Sequence, residues 1–142
     1  MLCGDYRIGV RKKYVVGVNE VIVGVPFPLW AFEIVKHALG ESARLSTLSG
    51  DLYSPDDALR LGYIHELAEP EQMLSVAIER AKKYSTNIGA FAQTKSLFFL
   101  ATNNRLNKYG ENVLDGVIEQ LYSENGWAHI QGVIQKMKNR RN

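Results

Sequence analysis

Apolar and polar residues are arranged differently in the two halves of the chain. Up to about residue 68, runs rich in valine and isoleucine alternate with short helical patterns, and beyond residue 69 the periodicity is helical almost throughout. Strands are predicted over residues 5–10 and 14–18, and residues 21–25 form a strand or a buried turn. In the first strand, one face carries Tyr6, Ile8 and Val10 and the other carries Asp5, Arg7 and Gly9.

Proline and glycine mark the ends of the next elements. Pro26 and Pro28 end the extended region because proline fixes φ and lacks a backbone donor. An apolar face then predicts a helix that stops at Gly40, and a second helix is predicted over residues 42–48, ending near Gly50.

The clearest local signal is a helix start at residue 54. Ser54 is the predicted N-cap, Pro55 takes the first helical position, and Asp56 and Asp57 follow in the first turn. Acidic residues are favoured there because the helix dipole is positive at its N-terminus. Gly62 is predicted to close this short helix.

The C-terminal half is predicted as a series of helices. A brief strand or extended link over residues 63–67 comes first. Glycines at positions 110, 116 and 132 weaken the later helices by about 1 kcal/mol each relative to alanine. The predicted helices cover residues 70–84, 89–101, 106–122 and 126–138.

Composition narrows the class of protein. The chain has 142 residues, 46% hydrophobic and 23% charged, which excludes a disordered chain and allows a real core. A formal charge of +2 gives no reason to expect nucleic acid as a partner. The single cysteine, Cys3, excludes an intramolecular disulfide framework, and no apolar run reaches the roughly 20 residues of a membrane span.

Few residues carry recognisable chemistry. His37, His65 and His129 are far apart in sequence and lack neighbouring ligands, so no metal site is predicted. Nucleophile motifs and glycine-rich phosphate loops are not found either. Glu20 stands out because it is a lone carboxylate between valine-rich runs. Burial raises the pKa of a carboxyl group from its reference of about 4.3, which suits it to accept a proton from carbon. The alternative is an ordinary acidic residue in a solvated turn.

Three stretches, in order, resemble the crotonase (enoyl-CoA hydratase/isomerase) superfamily. The first is Tyr14–Val25, which contains Gly17-Val18-Asn19-Glu20 and follows Gly4-Asp5-Tyr6-Arg7-Ile8. The second runs over residues 48–64, as LSGDLYSPDDALRLGYI, and the third contains Thr94-Lys95 after an alanine-rich turn. Each stretch alone is a weak signal, but their order and spacing over residues 4–100 are fairly specific.

Within the superfamily, the first stretch is most similar to the Δ3,Δ2-enoyl-CoA isomerase branch. Asn19 precedes the glutamate, and Pro26, Phe27 and Trp30 stand where hydratases have a glycine-rich loop. The resemblance implies that Glu20 is the single catalytic acid/base, which moves a proton between C2 and C4 of an enoyl-CoA thioester in fatty-acid oxidation. The alternative is an enoyl-CoA hydratase, whose reaction needs a second carboxylate.

The resemblance also implies a substrate site and an assembly. Phe27 and Trp30 are expected to line an acyl pocket, although such an aromatic cluster also suits a plain core. Lys95 is expected to bind the coenzyme A part of the substrate, so no separate cofactor is predicted. Basic groups at Arg11-Lys12-Lys13 and at Lys136, Lys138, Arg140 and Arg141 are further options for its phosphates. The C-terminal helices imply a homotrimer or hexamer and cover a neighbour's active site, with intrachain packing as the alternative.

The expected fold class is α/β. Residues 1–68 would form the C-terminal part of a crotonase-like ββα spiral, and residues 69–142 a mainly helical region for packing and oligomerisation. In the family, both oxyanion-hole amides lie upstream of the stretch that corresponds to residue 1. The chain is therefore expected to be N-terminally truncated and inactive alone, or a non-catalytic assembly module. Its compartment stays open between mitochondrion, peroxisome and cytosol.

Overall fold

The computed structural model describes residues 1–139, apart from the side chains of Ser42 and Met137. Within these residues, four short strands form two two-stranded sheets. Strand β1 (Ile8–Val10) pairs in parallel with β4 (Glu66–Ala68), with Ile8 opposite Glu66. Strand β2 (Val16–Gly17) pairs antiparallel with β3 (Leu52–Tyr53). Strands separated by nearly the whole first half of the chain are thus brought together.

Helices account for most of the remaining chain. Three-residue 3₁₀ segments at Gly40–Ser42, Pro70–Gln72 and Ser85–Asn87 connect some of them. No helix among the described residues is long and apolar enough to cross a membrane. In chain order the helices are α1 (Leu29–Leu39), α2 (Ala43–Ser49), α3 (Pro55–Arg60), α4 (Met73–Tyr84), α5 (Ile88–Tyr122) and α6 (Glu124–Asn139).

The core lies in the first half, between α1, α2, α3 and the link that follows α3. Tyr63 and Ile64 are its largest fully buried side chains, each 1% exposed. Val35 and Leu39 from α1 and Ala58 from α3 pack in the same buried cluster. Two consecutive residues of the link are therefore both buried, although an extended segment would point them to opposite faces.

The predicted helix ends at proline, serine and glycine are confirmed. The Ser54 hydroxyl accepts a hydrogen bond from the backbone N–H of Asp57 at 3.2 Å, and Pro55 begins α3. Gly40 and Gly62 adopt φ values of +61° and +80° where α1 and α3 end. Glycine is favoured there because a Cβ disfavours positive φ.

One of two predicted alternatives is found for the segment before Pro26, and one predicted helix break is wrong. Residues 21–24 form a turn and no strand, but Val21 and Ile22 in this turn are exposed instead of buried. The predicted break between residues 101 and 106 is absent, because α5 is one helix of 35 residues. Its polar stretch stays helical because Thr102 and Arg105 bond with Glu33 of α1, at 3.3 and 2.9 Å.

Arg7 connects β1 to the core although its side chain is charged. It is only 7% exposed. Its guanidinium donates to the carbonyl oxygens of Tyr63 at 2.8 Å, Gly62 at 2.8 Å, Ala38 at 3.2 Å and Gly4 at 3.1 Å. The guanidinium thus holds together β1, the end of α1 and the link after α3, and its burial lowers the pKa of Arg7.

Candidate functional site

Glu20 lies in a hydrogen-bonded turn between β2 and α1. The N–H of Val25 donates to the carbonyl oxygen of Glu20 at 2.8 Å, and the N–H of Gly24 donates to that of Val21 at 3.1 Å. Gly24 has a φ of +75°, a conformation that residues with a Cβ rarely adopt. The backbone of this turn therefore fixes the position of the Glu20 Cα atom, from which the carboxyl group extends.

The carboxyl group of Glu20 is half-buried. Its Oε2 atom is buried and has no hydrogen-bond partner within the described part of the chain. Buried carboxyl oxygens without a partner are rare in folded proteins, and a catalytic role or a bound water or ion is among the explanations for one. This placement is what a base that abstracts a proton from carbon requires.

Tyr63 lies within electrostatic range of that carboxyl group. Burial raises the pKa of Tyr63, and the Ser46 hydroxyl acts in the opposite direction. Tyr53 and the carboxylates of Asp51 and Glu20 add smaller increases to the pKa of Tyr63. The phenol therefore stays neutral beside Glu20 at physiological pH.

An apolar cavity of about 490 Å³ opens beside the turn. Val21, the residue after Glu20, forms part of its wall, and Phe27, Phe32, Val35 and Leu48 supply the other large apolar groups. Its volume and lining are typical of a small-molecule site. The structure thus brings the Glu20 turn and Phe27 to one cavity.

The other predicted binding residues lie elsewhere. Trp30 is 56% exposed in the first turn of α1 and is not part of the cavity lining. Lys95 on α5 pairs with Asp5, Nζ to Oδ2, at 2.6 Å. It lines a separate shallow cleft of about 160 Å³ together with Phe91 and Phe98.

The basic groups at the two ends differ in their environment. Arg11 pairs with Glu69 at 3.4 Å and approaches Asp56 at 3.8 Å, so it links β1 to later elements. Lys136 and Lys138 lie in the last turn of α6, where cations favour the helix dipole. Arg140 and Arg141 lie outside the described residues. Within residues 1–139, no group of three acidic, histidine or cysteine side chains could hold a metal ion.

Three residues at this site were not predicted from the sequence. Thr47 on α2 lines the cavity, Tyr63 lies near Glu20, and the imidazole of His129 on α6 packs against Gly24. Neither Thr47, which follows Ser46 on a short helix, nor His129, which is 105 positions after Gly24, belongs to a local sequence pattern that would indicate a site. The contact of His129 with Gly24 also shows that a C-terminal helix covers the turn of its own chain.

Similarity to known proteins is consistent with this geometry. No protein-family model matches the chain. The mitochondrial enoyl-CoA delta isomerase 1 of Mus musculus is 26% identical over 99% of this chain and 50% of its own length. That of Rattus norvegicus is 27% identical over 96% and 48%. The chain therefore spans about half the length of the curated relatives it matches.

Solved structures share the fold over nearly the whole chain. Human mitochondrial delta3-delta2-enoyl-CoA isomerase superposes with a TM-score of 0.89 at 24% identity, covering 99% of this chain and 56% of that protein. The chain shares the crotonase fold with this isomerase. An enoyl-CoA hydratase from Bacillus halodurans has a TM-score of 0.71 at 24% identity, covering 93% of this chain and 53% of the hydratase.

The structural match confirms the crotonase-like fold that the three sequence stretches imply. The matched region is the C-terminal portion of the crotonase fold, with the long helical region at its end. Both isomerases and hydratases occur among the similar structures, so the superfamily does not by itself choose between those reactions.

Proposed function

We propose that this crotonase-superfamily chain carries the base and acyl cavity of a Δ3,Δ2-enoyl-CoA isomerase. Glu20 removes a proton from C2 of a 3-enoyl-CoA thioester, and the electrons pass into a dienolate. The same carboxyl group then returns the proton to C4, which leaves the 2-enoyl thioester. One observation carries the proposal. The Oε2 atom of Glu20 is buried without a hydrogen-bond partner among residues 1–139, in a turn where the next residue, Val21, lines an apolar cavity.

A single carboxyl group is sufficient for this reaction. No water is added, so no second carboxylate is needed to activate one, whereas a hydratase needs that second group. The dienolate oxygen requires hydrogen-bond donors, and removal of one such donor costs about 10²–10³ in rate. The resemblance places those donors upstream of the stretch that corresponds to residue 1. Full activity therefore depends on groups outside this stretch.

The substrate's two ends are assigned to different parts of the chain. Phe27 contacts the acyl group in the apolar cavity that it lines. Trp30 is placed at the exposed start of α1, where its indole can cover the acyl chain or the pantetheine arm. Lys95 would bind a coenzyme A phosphate, and its ammonium group would leave its ion pair with Asp5 to do so.

The C-terminal helices are proposed to assemble copies of the chain into a trimer or hexamer. Their surface exposes large apolar side chains, which single soluble chains rarely leave in contiguous patches. On α5 and α6 these include Leu97, Phe98, Leu100, Leu114, Ile118, Tyr122 and Trp127. Sedimentation velocity at micromolar concentration tests the assembly, and a concentration-independent monomer would contradict it.

Isomerisation of 3-octenoyl-CoA, followed by the ultraviolet absorbance of the conjugated product, tests the reaction. Glu20→Gln is expected to lower the rate by about 10²–10⁴, the usual contribution of a positioned general base. The matched control is Glu71→Gln, an exposed carboxylate in a 3₁₀ segment, which should leave the rate unchanged.

Three results would overturn the assignment. An unchanged rate in Glu20→Gln would show that Glu20 is not the base. Hydration of 2-octenoyl-CoA in place of isomerisation would identify a hydratase. Binding of the thioester without turnover by an unsubstituted protein that also carries the oxyanion-hole donors would support the non-catalytic assembly module.

A further inference from the structure

The wall of the apolar cavity includes a buried hydroxyl group that the proposed isomerase reaction does not use. Thr47 is 8% exposed, and its Oγ1 is buried without a hydrogen-bond partner in the part of the chain that the structure describes. The residue forms part of the cavity wall. A buried hydroxyl without a partner is costly, and a ligand with an oxygen at this depth would complete its bonding.

Two cations lie on the same cavity. Lys36 comes from α1 and Arg44 from α2, and neither forms an ion pair with any described residue. Glu41 is the one carboxylate in the lining, and it too has no ion pair there. The lining therefore has a net charge of +1, which favours an anionic group inside an otherwise apolar space.

Helix α2 determines the order in which Thr47 and Arg44 lie along the cavity. Its C-terminal end packs on the Glu20 turn, because a Cβ at Gly50 would lie 3.1 Å from Cβ of Ile22. Thr47 is three residues before Gly50. Arg44 is three residues before Thr47, which separates the two by about 4.5 Å along the helix axis. An acyl chain that enters from the turn therefore meets Thr47 before Arg44, and Lys36 lines the same cavity from α1.

We propose that this cavity selects acyl thioesters whose far end carries a carboxylate, with Thr47 and Arg44 as specificity-determining residues. The terminal carboxylate accepts a hydrogen bond from the Thr47 hydroxyl and pairs with Arg44 and Lys36. The methylene chain lies against Phe27 and Phe32. This inference rests on the proposed function, because it takes the cavity as the acyl site.

Binding of two neutral-headed thioesters tests the proposal without any catalytic step. Octanoyl and 7-carboxyheptanoyl thioesters of N-acetylcysteamine have the same chain length and differ only at the far end. Isothermal titration should show the carboxylate form binding about tenfold tighter, the gain expected from one charged hydrogen bond. The preference should shrink as salt is added.

Single variants assign the preference to the named groups. Thr47→Val preserves shape, and it should reduce carboxylate affinity about fivefold while leaving octanoyl affinity unchanged. Arg44→Gln should act in the same direction, and Glu41→Gln should instead tighten carboxylate binding by removing a repelling charge. Lys83→Gln, an exposed cation on α4, is the control and should change neither.

Two results would overturn the proposal: equal affinity for the two thioesters, or variants that weaken both ligands equally. Either can occur while Glu20→Gln still abolishes isomerisation of 3-octenoyl-CoA, in which case the proposed function stands. Conversely, the protein could prefer the carboxylate thioester and still show no reaction that depends on Glu20. That result would contradict the isomerase assignment and leave the ligand preference standing.

Discussion

The imidazole of His129 packs directly on Gly24, so that a Cβ at Gly24 would lie 2.8 Å from Nε2 of His129. Gly24 closes the turn that carries Glu20, and His129 belongs to α6 near the end of the chain. The last helix thus contacts the candidate catalytic turn of its own chain. The contact is possible only because residue 24 has no side chain.

Gly24→Ala should therefore destabilise the fold for two separable reasons. The residue has a φ of +75°, and the new methyl group would overlap the His129 ring. Gly40→Ala is the matched control, since Gly40 has a φ of +61° with open space around it. We expect Gly24→Ala to cost about 1–3 kcal/mol more than the control in urea unfolding.

The difference between the two glycine variants should disappear when His129→Ala is added to both. The smaller side chain leaves room for the methyl group, and only the strain of positive φ remains. Equal losses in Gly24→Ala and Gly40→Ala with His129 intact would contradict the contact.

Arg7→Met should destabilise the fold by about 2–5 kcal/mol in the same unfolding measurement. The substitution leaves the carbonyl oxygens of Tyr63, Gly62 and Ala38 without the donor that satisfies them. Arg60→Met is the control, because Arg60 is exposed and, within the described part of the chain, pairs only with Asp57, three residues earlier. Its loss should stay within about 0.5 kcal/mol. Similar losses in both variants would show that the carbonyl cage contributes little.

Local signals predicted the helix ends, and long-range contacts explain where the prediction failed. Ser54, Pro55 and Gly62 act through their own backbone, so their roles can be read from neighbouring residues. Strand alternation placed Arg7 on the more polar face, yet it is buried because carbonyl groups from three other segments surround it. The residues around position 7 form no pattern that would predict these carbonyl acceptors.

The residues of the candidate site also fall into two groups, those that a local pattern predicts and those that only long-range packing brings to the site. Glu20 and Phe27 were predicted from one continuous stretch, and the structure places that stretch beside a cavity. Thr47 and His129 reach the site from α2 and α6, and their positions depend on how the helices pack. The continuity of α5 was missed for the same reason, since its polar stretch is held by Glu33 on another helix.

Stability should fall as pH drops below about 6.5 because of His65. Burial and then the charge of Arg7 lower the pKa of His65 in the folded chain. In the window between that lowered pKa and the unfolded value of about 6.5, the unfolded chain binds more protons, so stability decreases with falling pH. Unfolding free energies at pH 5.5 and 7.5 measure the loss.

His65→Asn removes this titrating group and keeps an acceptor for the Arg7 backbone N–H, which lies 3.1 Å from Nδ1 of His65. The difference in stability between the two pH values should become smaller in this variant. His37→Asn is the control, because His37 lines the same cleft and contacts Phe99 but makes no hydrogen bond with Arg7 among the described residues, and this variant should keep the difference. An unchanged difference in His65→Asn would rule out His65 as its source.

Arg105→Met should loosen α5 from α1 and thereby alter the acyl cavity. Glu33 is 4% exposed on α1, and its Oε1 lies 2.9 Å from Arg105 Nη1. Removing Arg105 leaves a buried carboxylate with one hydrogen bond, from Thr102, which should cost about 1–3 kcal/mol because Arg105 itself is partly exposed. Lys108→Met, on the exposed surface of the same helix, is the control and should cost less than about 0.5 kcal/mol.

The double variant Glu33→Gln/Arg105→Met should be more stable than Arg105→Met alone, because the unpaired charge is gone. Since Phe32 and Val35 flank Glu33 on α1 and line the cavity, Arg105→Met should also weaken binding of the octanoyl thioester. If stability falls and binding does not, then the ion pair holds α5 without shaping the cavity. If neither changes, the pair is not formed in solution, and the continuity of α5 must have another cause.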